Sequence, residues 1–93
     1  SVEGTSQDLG LALSLVSSAK GRDIKYDRLM AIGEIGLTGE IRPVNHVERL
    51  IGEGVKMGFE YFMIPSRNME KIKMKNIHLI PVDTLKEAVN KIF

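Results

Sequence analysis

The sequence predicts a small α+β domain in which helices pack on a mixed β-sheet. Two observations on its 93 residues predict this class. Segments with helical and strand periodicity follow one another in the order α-β-β-α-β-β-α, and the alternation in the second half favours a mixed sheet covered by helices. The chain is 43% hydrophobic and 27% charged, which is typical of globular proteins. We expect a single domain over residues 1–93.

The first helix is predicted over residues 5–20. Its apolar residues cover most of the helix circumference, so we expect the helix to be largely buried. Thr5 or Ser6 can cap its first turn, and Asp8 complements the helix dipole there. Gly21 follows as the residue that ends the helix.

Two short strands joined by a turn are predicted after a charged connector at residues 22–27. Residues 29–35 form the first strand and residues 40–44 the second, with the turn at residues 37–39. This arrangement suggests an antiparallel hairpin. Pro43 has no amide hydrogen to donate to a neighbouring strand, so it marks a strand end or a sheet edge.

The second helix is predicted over residues 47–57. Its apolar face consists of Val47, Leu50, Ile51 and Val55. Gly52 and Gly54 lie inside this helix, where each costs about 1 kcal/mol relative to alanine. Close packing of the helix backbone against a strand or against a neighbouring subunit would explain the two glycines.

Two further strands and a final helix complete the predicted domain. Residues 61–64 form a short buried strand that Pro65 ends, and residues 77–82 form another. Thr84 and Glu87 have the spacing of a capping box, which opens the final helix. The apolar residues expected on its inner face are Leu85, Ala88, Val89, Ile92 and Phe93.

The composition excludes several functions for this chain. It contains no cysteine, so disulfides, thiolate catalysis and cysteine-based zinc sites are absent. The net charge of +1 gives no general attraction to nucleic acid or membrane. The longest nearly apolar stretch, residues 9–16, is far too short to span a membrane. No G-x-x-x-x-G-K-[ST] loop occurs, so no cofactor and no ATP bound through a Walker motif is expected in this chain.

Three smaller features carry competing interpretations. The basic run Arg67, Lys71, Lys73 and Lys75 is interpreted first as a solvated loop and second as a binding patch, without an aromatic stacking platform beside it. His46 and His78, the two histidines, have no acid at ligand spacing, so no metal site is expected. Glu34 and Glu40 flank the turn as a carboxylate pair, and solvated strand residues are favoured over acid-base catalysts.

A family resemblance lies in the string GEIGLTGEIRPV at residues 33–44, with TSQDL at residues 5–9 and VKMGF at residues 55–59. Together with IPSRN at residues 64–68, these strings resemble the carboxy-terminal, Lon-protease-like domain of the bacterial RadA (Sms) family of DNA repair proteins. The resemblance extends over essentially the whole chain. Lon proteases and the ComM-type magnesium-chelatase-like ATPases share the hairpin motif, so a ComM-type domain is the alternative.

The resemblance implies the fold that is also seen in domain 2 of ribosomal protein S5. RadA domains normally carry additional β-structure before the first helix, so we expect the chain to be amino-terminally truncated. The parent protein would be a cytoplasmic, DNA-dependent ATPase of recombination and branch migration that uses ATP, magnesium and zinc. It would assemble as a hexameric ring and bind single-stranded or branched DNA, with no membrane contact.

The resemblance to Lon also implies where a peptidase site would lie. Lon-type proteolysis needs a serine at the start of a buried helix and a deprotonated lysine on a second helix. Ser6 falls at the nucleophile position, but Glu48 occupies the lysine position. Lys56 lies about 12 Å further along the helix axis and cannot replace it. We therefore expect no catalysis from this chain, with an active Lon-like serine peptidase as the other alternative.

Assembly and DNA contact are the roles that remain. The expected subunit contacts are the hairpin at residues 37–42 and the second helix, through Gly52, Gly54 and His46. DNA would be bound through its phosphates. The residues expected to bind it are Arg67, Lys71, Lys73, Lys75, Arg42 and Arg49.

Overall fold

A computed structural model of the chain describes residues 7–10, 13 and 24–93. Its elements, in chain order, are β1 (Gln7–Asp8), β2 (Leu29–Ala31), β3 (Glu34–Ile35), β4 (Ile41–Arg42), α1 (Val47–Lys56), β5 (Tyr61–Pro65), a 3-10 helix (Ser66–Lys71), β6 (His78–Val82) and α2 (Leu85–Ile92). Leu9, Gly10 and Leu13 are also helical. The predicted α+β class is confirmed.

The described strands form two sheets of three strands each. One sheet has the order β2-β5-β6 and is parallel throughout. The other has the order β1-β3-β4 and is antiparallel. The predicted hairpin is therefore present as β3 and β4, with Glu34 opposite Arg42. The prediction of one mixed sheet is corrected to two sheets of different type.

The chain passes from one sheet to the other at Gly33, which splits the predicted strand at residues 29–35. Gly33 has a φ of 148°, and a Cβ there would lie 3.1 Å from Ile41 Cγ2. On either side, the Ile32 amide donates to Met63 O at 2.8 Å, and Gly33 O accepts from the Leu9 amide at 3.0 Å. A side chain is disfavoured at such a crossing point, which explains the glycine.

The first helix begins later than predicted. Gln7 pairs with Ile35 and Asp8 with Glu34 in the antiparallel sheet, so residues 7–8 are extended, and helical conformation is first seen at Leu9. The prediction that Gln7 and Asp8 belong to the helix is wrong, because strand pairing competes with helix formation there. The predicted caps, Thr5 and Ser6, lie outside the described residues.

The core lies on both faces of the parallel sheet, because side chains along β5 alternate between them. Met63 packs on one side with α2, and Phe62 and Ile64 pack on the other side with α1. All three of these side chains are fully buried. The first cluster is completed by Leu9, Leu13, Ile35, Ile41, Val82, Ala88 and Ile92, and the second by Ile32, Val47 and Ile51.

The face of α1 that packs on the sheet differs by one position from the predicted one. Gly54 is buried, whereas Val55 is 45% exposed. A Cβ at Gly54 would lie 2.7 Å from both Met30 Sδ and Phe62 Cε1, so helix and sheet meet through this glycine. The close approach that we expected of Gly54 is therefore made to a strand of the same chain, and its part in a subunit contact stays a prediction.

The predicted capping box opens α2. The Thr84 hydroxyl accepts a hydrogen bond from the Glu87 amide at 3.1 Å. The Glu87 carboxylate reaches back and accepts from the Asp83 amide at 2.6 Å, one residue before the threonine. Two amides at the helix start thereby gain partners, which fixes the end of α2 nearest to the hairpin.

Candidate functional site

The hairpin motif builds a rigid turn around the Glu40 carboxylate. Glu40 Oε1 accepts from the Thr38 amide at 3.1 Å and from the Thr38 hydroxyl at 2.5 Å. The carboxylate lies directly over Gly36, where any Cβ would overlap it. Gly39, at φ 87°, donates to Gly36 O at 3.1 Å. Gly36 and Gly39 are thus explained by the turn itself.

Glu40 is held in its charged form. The Thr38 hydroxyl, together with backbone amides and the Arg42 side chain, lowers the pKa of Glu40 from 4.5 to about 2. Arg42 Nη2 lies 3.4 Å from Glu40 Oε2. A carboxyl group with so low a pKa is a poor proton donor or acceptor near neutral pH. The Glu40 carboxylate has a structural role in the turn.

The hairpin is fastened to the start of α2. The Ile41 amide donates to Asp83 O and the Leu85 amide to Gly39 O, both at 2.8 Å. Glu40 also forms an antiparallel bridge with Thr84. These contacts hold the backbone at the start of β4, the strand that carries Arg42.

Asn68 connects the 3-10 helix to the segment that enters α1. Its side chain is 1% exposed. Its Oδ1 accepts from the Val44 amide at 3.0 Å, and its Nδ2 donates to Val44 O at 3.0 Å. One side chain thereby imitates a strand neighbour for Val44. The Asn68 clamp, as we call this pair of bonds, gives the Pro-x-x-Asn string a structural reason.

Glu48 holds the segment that follows the 3-10 helix. Its Oε2 accepts from the Lys73 amide at 2.8 Å, and Glu48 is only partly exposed. The acid at the expected lysine position of a Lon-type site therefore fastens α1 to the basic run. Ser6, the expected nucleophile position, lies outside the described residues.

Three of the predicted DNA-binding residues line two clefts. Arg42 and Arg67 line one cleft of about 170 Å³, together with the acids Glu40 and Asp83. Lys71 lines the other, of about 210 Å³, together with His46. Val44, which the Asn68 clamp holds, lines the second cleft, and the preceding residue Pro43 lines the first.

The remaining predicted DNA-binding residues are exposed around these clefts. Lys73 and Lys75 follow Lys71 along the chain, and Arg49 lies on α1. Residues 66–71 form a 3-10 helix, so the basic run is more ordered than the predicted loop. Sequence reasoning could not bring Arg42 and Arg67 together, since they are far apart in the chain.

The two other predicted subunit-contact residues lie at the surface. His46 is exposed at the start of α1, with a left-handed φ of 60°. Gly52 is partly exposed, and no described atom lies within 4 Å of the position of a Cβ there.

Neither a metal site nor a membrane span is found within the described ranges. No group of three His, Cys, Asp or Glu residues there has an arrangement that could hold a metal ion. No helix among the same residues is long and apolar enough to cross a membrane.

Comparison with known proteins identifies the class of domain first. The family model described as ChlI, subunit ChlI of Mg-chelatase, matches residues 1–68. The chain therefore belongs to this family.

The resemblance to bacterial RadA is also confirmed. The DNA repair protein RadA of Escherichia coli is 38% identical over 89 residues, which are 96% of this chain and 19% of that protein. RadA of Streptococcus pneumoniae is 38% identical over 92% of this chain, and RadA of Chlamydia muridarum is 42% identical over 90%. The matches fall in the carboxy-terminal region of these proteins. The chain spans about a fifth of the length of the curated relatives it matches.

Proposed function

We propose that the chain is a non-catalytic domain of a RadA-type DNA repair and recombination ATPase. It contributes a surface that contacts DNA phosphates and a scaffold for a hexameric ring. The observation that carries this proposal is the convergence of Arg42 and Arg67 on one cleft, with Lys71 on the adjoining cleft. Arginine pairs and lysines of this kind bind phosphates without reading sequence. The DNA repair proteins that match the chain support the same role.

Glu48 supports the non-catalytic part of the proposal. A Lon-type site needs a lysine amine at this position, and here a carboxylate is bonded to the Lys73 amide. Replacing Glu48 by lysine would also remove this hydrogen bond, which joins α1 to the basic run. An active peptidase would cleave an unfolded substrate, and the cleavage would disappear in Ser6→Ala.

A ComM-type ATPase domain is the second candidate, and the ChlI family match favours it. The rest of the protein distinguishes the two candidates. A chelatase-like ATPase module would support the ComM type. A RadA-type parent would instead carry a four-cysteine zinc module and an ATPase module that binds ATP and magnesium, and would act in the cytoplasm.

The DNA surface is tested by the salt dependence of binding in the full-length protein that carries this chain. Each phosphate contact contributes about 0.9 to the slope of log affinity against log salt on duplex DNA. We expect Arg67→Ala and Lys71→Ala each to reduce that slope by about this amount. Lys86→Ala is the control, because Lys86 is exposed on α2. Unchanged slopes in both cleft variants would exclude this surface.

The scaffold role is tested at Gly52 and Arg42. Gly52→Leu adds a bulky side chain at an open position of α1 without touching the described core. We expect it, and the charge reversal Arg42→Glu, to convert rings of the full-length protein into smaller species in sedimentation velocity. Gly52→Ala is the matched control, since a methyl group there is expected to leave the ring intact. Rings that persist in both bulky and charge-reversed variants would contradict the proposed contacts.

A further inference from the structure

An aromatic row crosses the parallel sheet at the end where its strands begin. The Tyr26 and Tyr61 rings are 5.0 Å apart, centroid to centroid, and tilted by 46°. The Tyr61 and His78 rings are 4.9 Å apart and stacked at 24°. Tyr61 and His78 are partners in the ladder of β5 and β6, which explains their stacking. Lys25 Nζ lies 5.8 Å from the Tyr26 centroid at the far end of the row.

A cleft of about 380 Å³ adjoins the His78 end of this row. Its apolar lining includes Val55, Phe59 and Ile77, and its polar lining includes Asn76 and the ion pair of Arg28 with Glu60. A cleft of this size and mixed lining is typical of small-molecule or nucleotide subsites. Among the described residues, His78 belongs to both the row and the cleft, so it would be the surface on which a flat ligand stacks.

The backbone around the cleft is held in an uncommon conformation. Arg28 has a φ of 57° and Asn76 a φ of 64°, and both line the cleft. This conformation is common for asparagine but uncommon for arginine, so Arg28 is the unusual residue of the two. Arg28 O accepts from the Glu60 and Tyr61 amides at 3.0 and 3.2 Å. The Arg28 guanidinium lies 3.1 Å from Glu60 Oε2 at the exposed rim.

We propose that this cleft binds an unpaired nucleobase of single-stranded DNA, stacked on His78. Arg28, which is paired with Glu60 in the free cleft, would turn to the adjoining phosphate, and the Asn76 amide would hydrogen-bond the edge of the base. Aromatic side chains beside cations bind single strands in this way, because every base offers a flat face. Duplex DNA does not offer such a face, because its bases are already stacked and paired. This site is separate from the Arg42 and Arg67 cleft and has a different ligand chemistry.

The two tyrosines of the chain report on this site directly. The chain has two tyrosines and no tryptophan, and both tyrosines lie in the aromatic row, so its ultraviolet fluorescence comes from this row. We expect oligothymidylate to quench the tyrosine fluorescence of the chain, and a duplex of equal length to quench it much less. His78→Ala should raise the dissociation constant for oligothymidylate about tenfold. His78→Phe should retain affinity, since it retains a ring that can stack. Asn90→Ala is the control, because Asn90 is exposed on α2 and lines none of the clefts described above.

Thermal melting of each variant establishes that it is folded, and each outcome then separates this proposal from the phosphate surface. Loss of oligothymidylate affinity in His78→Ala but not in Asn90→Ala supports the stacking site, whatever the affinity of Arg67→Ala. Loss of oligothymidylate affinity in Arg67→Ala but not in His78→Ala overturns the stacking site and supports the phosphate surface. If thymidine monophosphate binds as tightly as oligothymidylate, the ligand is a free nucleotide and the single-strand proposal is overturned. Equal quenching by the duplex overturns it too.

Discussion

Replacing Gly54 by leucine is expected to destabilise the domain strongly, whereas replacing Gly52 by alanine is expected to stabilise it. A side chain at Gly54 meets the fully buried Phe62 ring and Met30 at 2.7 Å. Overpacking of this kind costs about 3 kcal/mol at the upper end of its usual range. At Gly52 no described atom lies within 4 Å of the Cβ position. Alanine there should therefore raise the free energy of unfolding by its advantage over glycine in a helix, about 1 kcal/mol.

Urea unfolding followed by circular dichroism measures both changes. The transition of Gly54→Leu should move to a lower urea concentration, and that of Gly52→Ala to a higher one. The urea midpoint of Gly54→Ala should fall between those of Gly54→Leu and the unsubstituted chain. Alanine favours the helix more than glycine does, but its methyl group still meets the Phe62 ring. A shift in the same direction for Gly52→Ala and Gly54→Ala would contradict the different environments of the two glycines.

The elements that local sequence determines were predicted well. The β3–β4 hairpin, α1 and α2 each carry their own periodicity or turn signal. The capping box at Thr84 was correct because both of its groups lie within one helical turn. The overall class follows from the order of these elements, and the resemblance to RadA follows from the strings they contain.

What could not be predicted depends on contacts between distant residues. The β1 strand exists because residues 7–8 pair with β3, and no local pattern indicates such a partner. The position of Gly54 on the inner face of α1 depends on the size of Phe62 beneath it. The candidate sites follow the same rule. Arg42 and Arg67 line one cleft, and Tyr61 stacks on His78, only after the sheets have formed.

Asn68 belongs to a string that the sequence analysis identifies, but its structural role does not follow from the sequence. The Pro-x-x-Asn string was noted as part of the family resemblance, but nothing in the sequence indicates Val44 as the partner of the asparagine. An amide is the one uncharged side-chain group that presents a donor and an acceptor side by side. It can therefore satisfy both backbone groups of Val44 at once, as the structure shows.

Replacing Asn68 by alanine is expected to lower the free energy of unfolding by about 2–3 kcal/mol, because both backbone groups of Val44 lose their partner. Asn68→Asp should be about as harmful, since a carboxylate oxygen would replace the donor that faces Val44 O. Asn45→Ala is the control, because Asn45 is exposed beside Val44 and such surface changes usually stay within about 0.5 kcal/mol. Urea unfolding of the three variants measures these differences.

The same variants test whether the clamp also shapes the phosphate surface. The clamp fixes Val44, which lines the Lys71 cleft and directly follows Pro43 of the Arg42 and Arg67 cleft, so its loss should let the two clefts move apart. We therefore expect Asn68→Ala, assayed well below its melting temperature in the full-length protein, to weaken duplex DNA binding while Asn45→Ala does not. Normal DNA affinity in a destabilised but folded Asn68→Ala protein would show that the clamp stabilises the fold without positioning the basic residues.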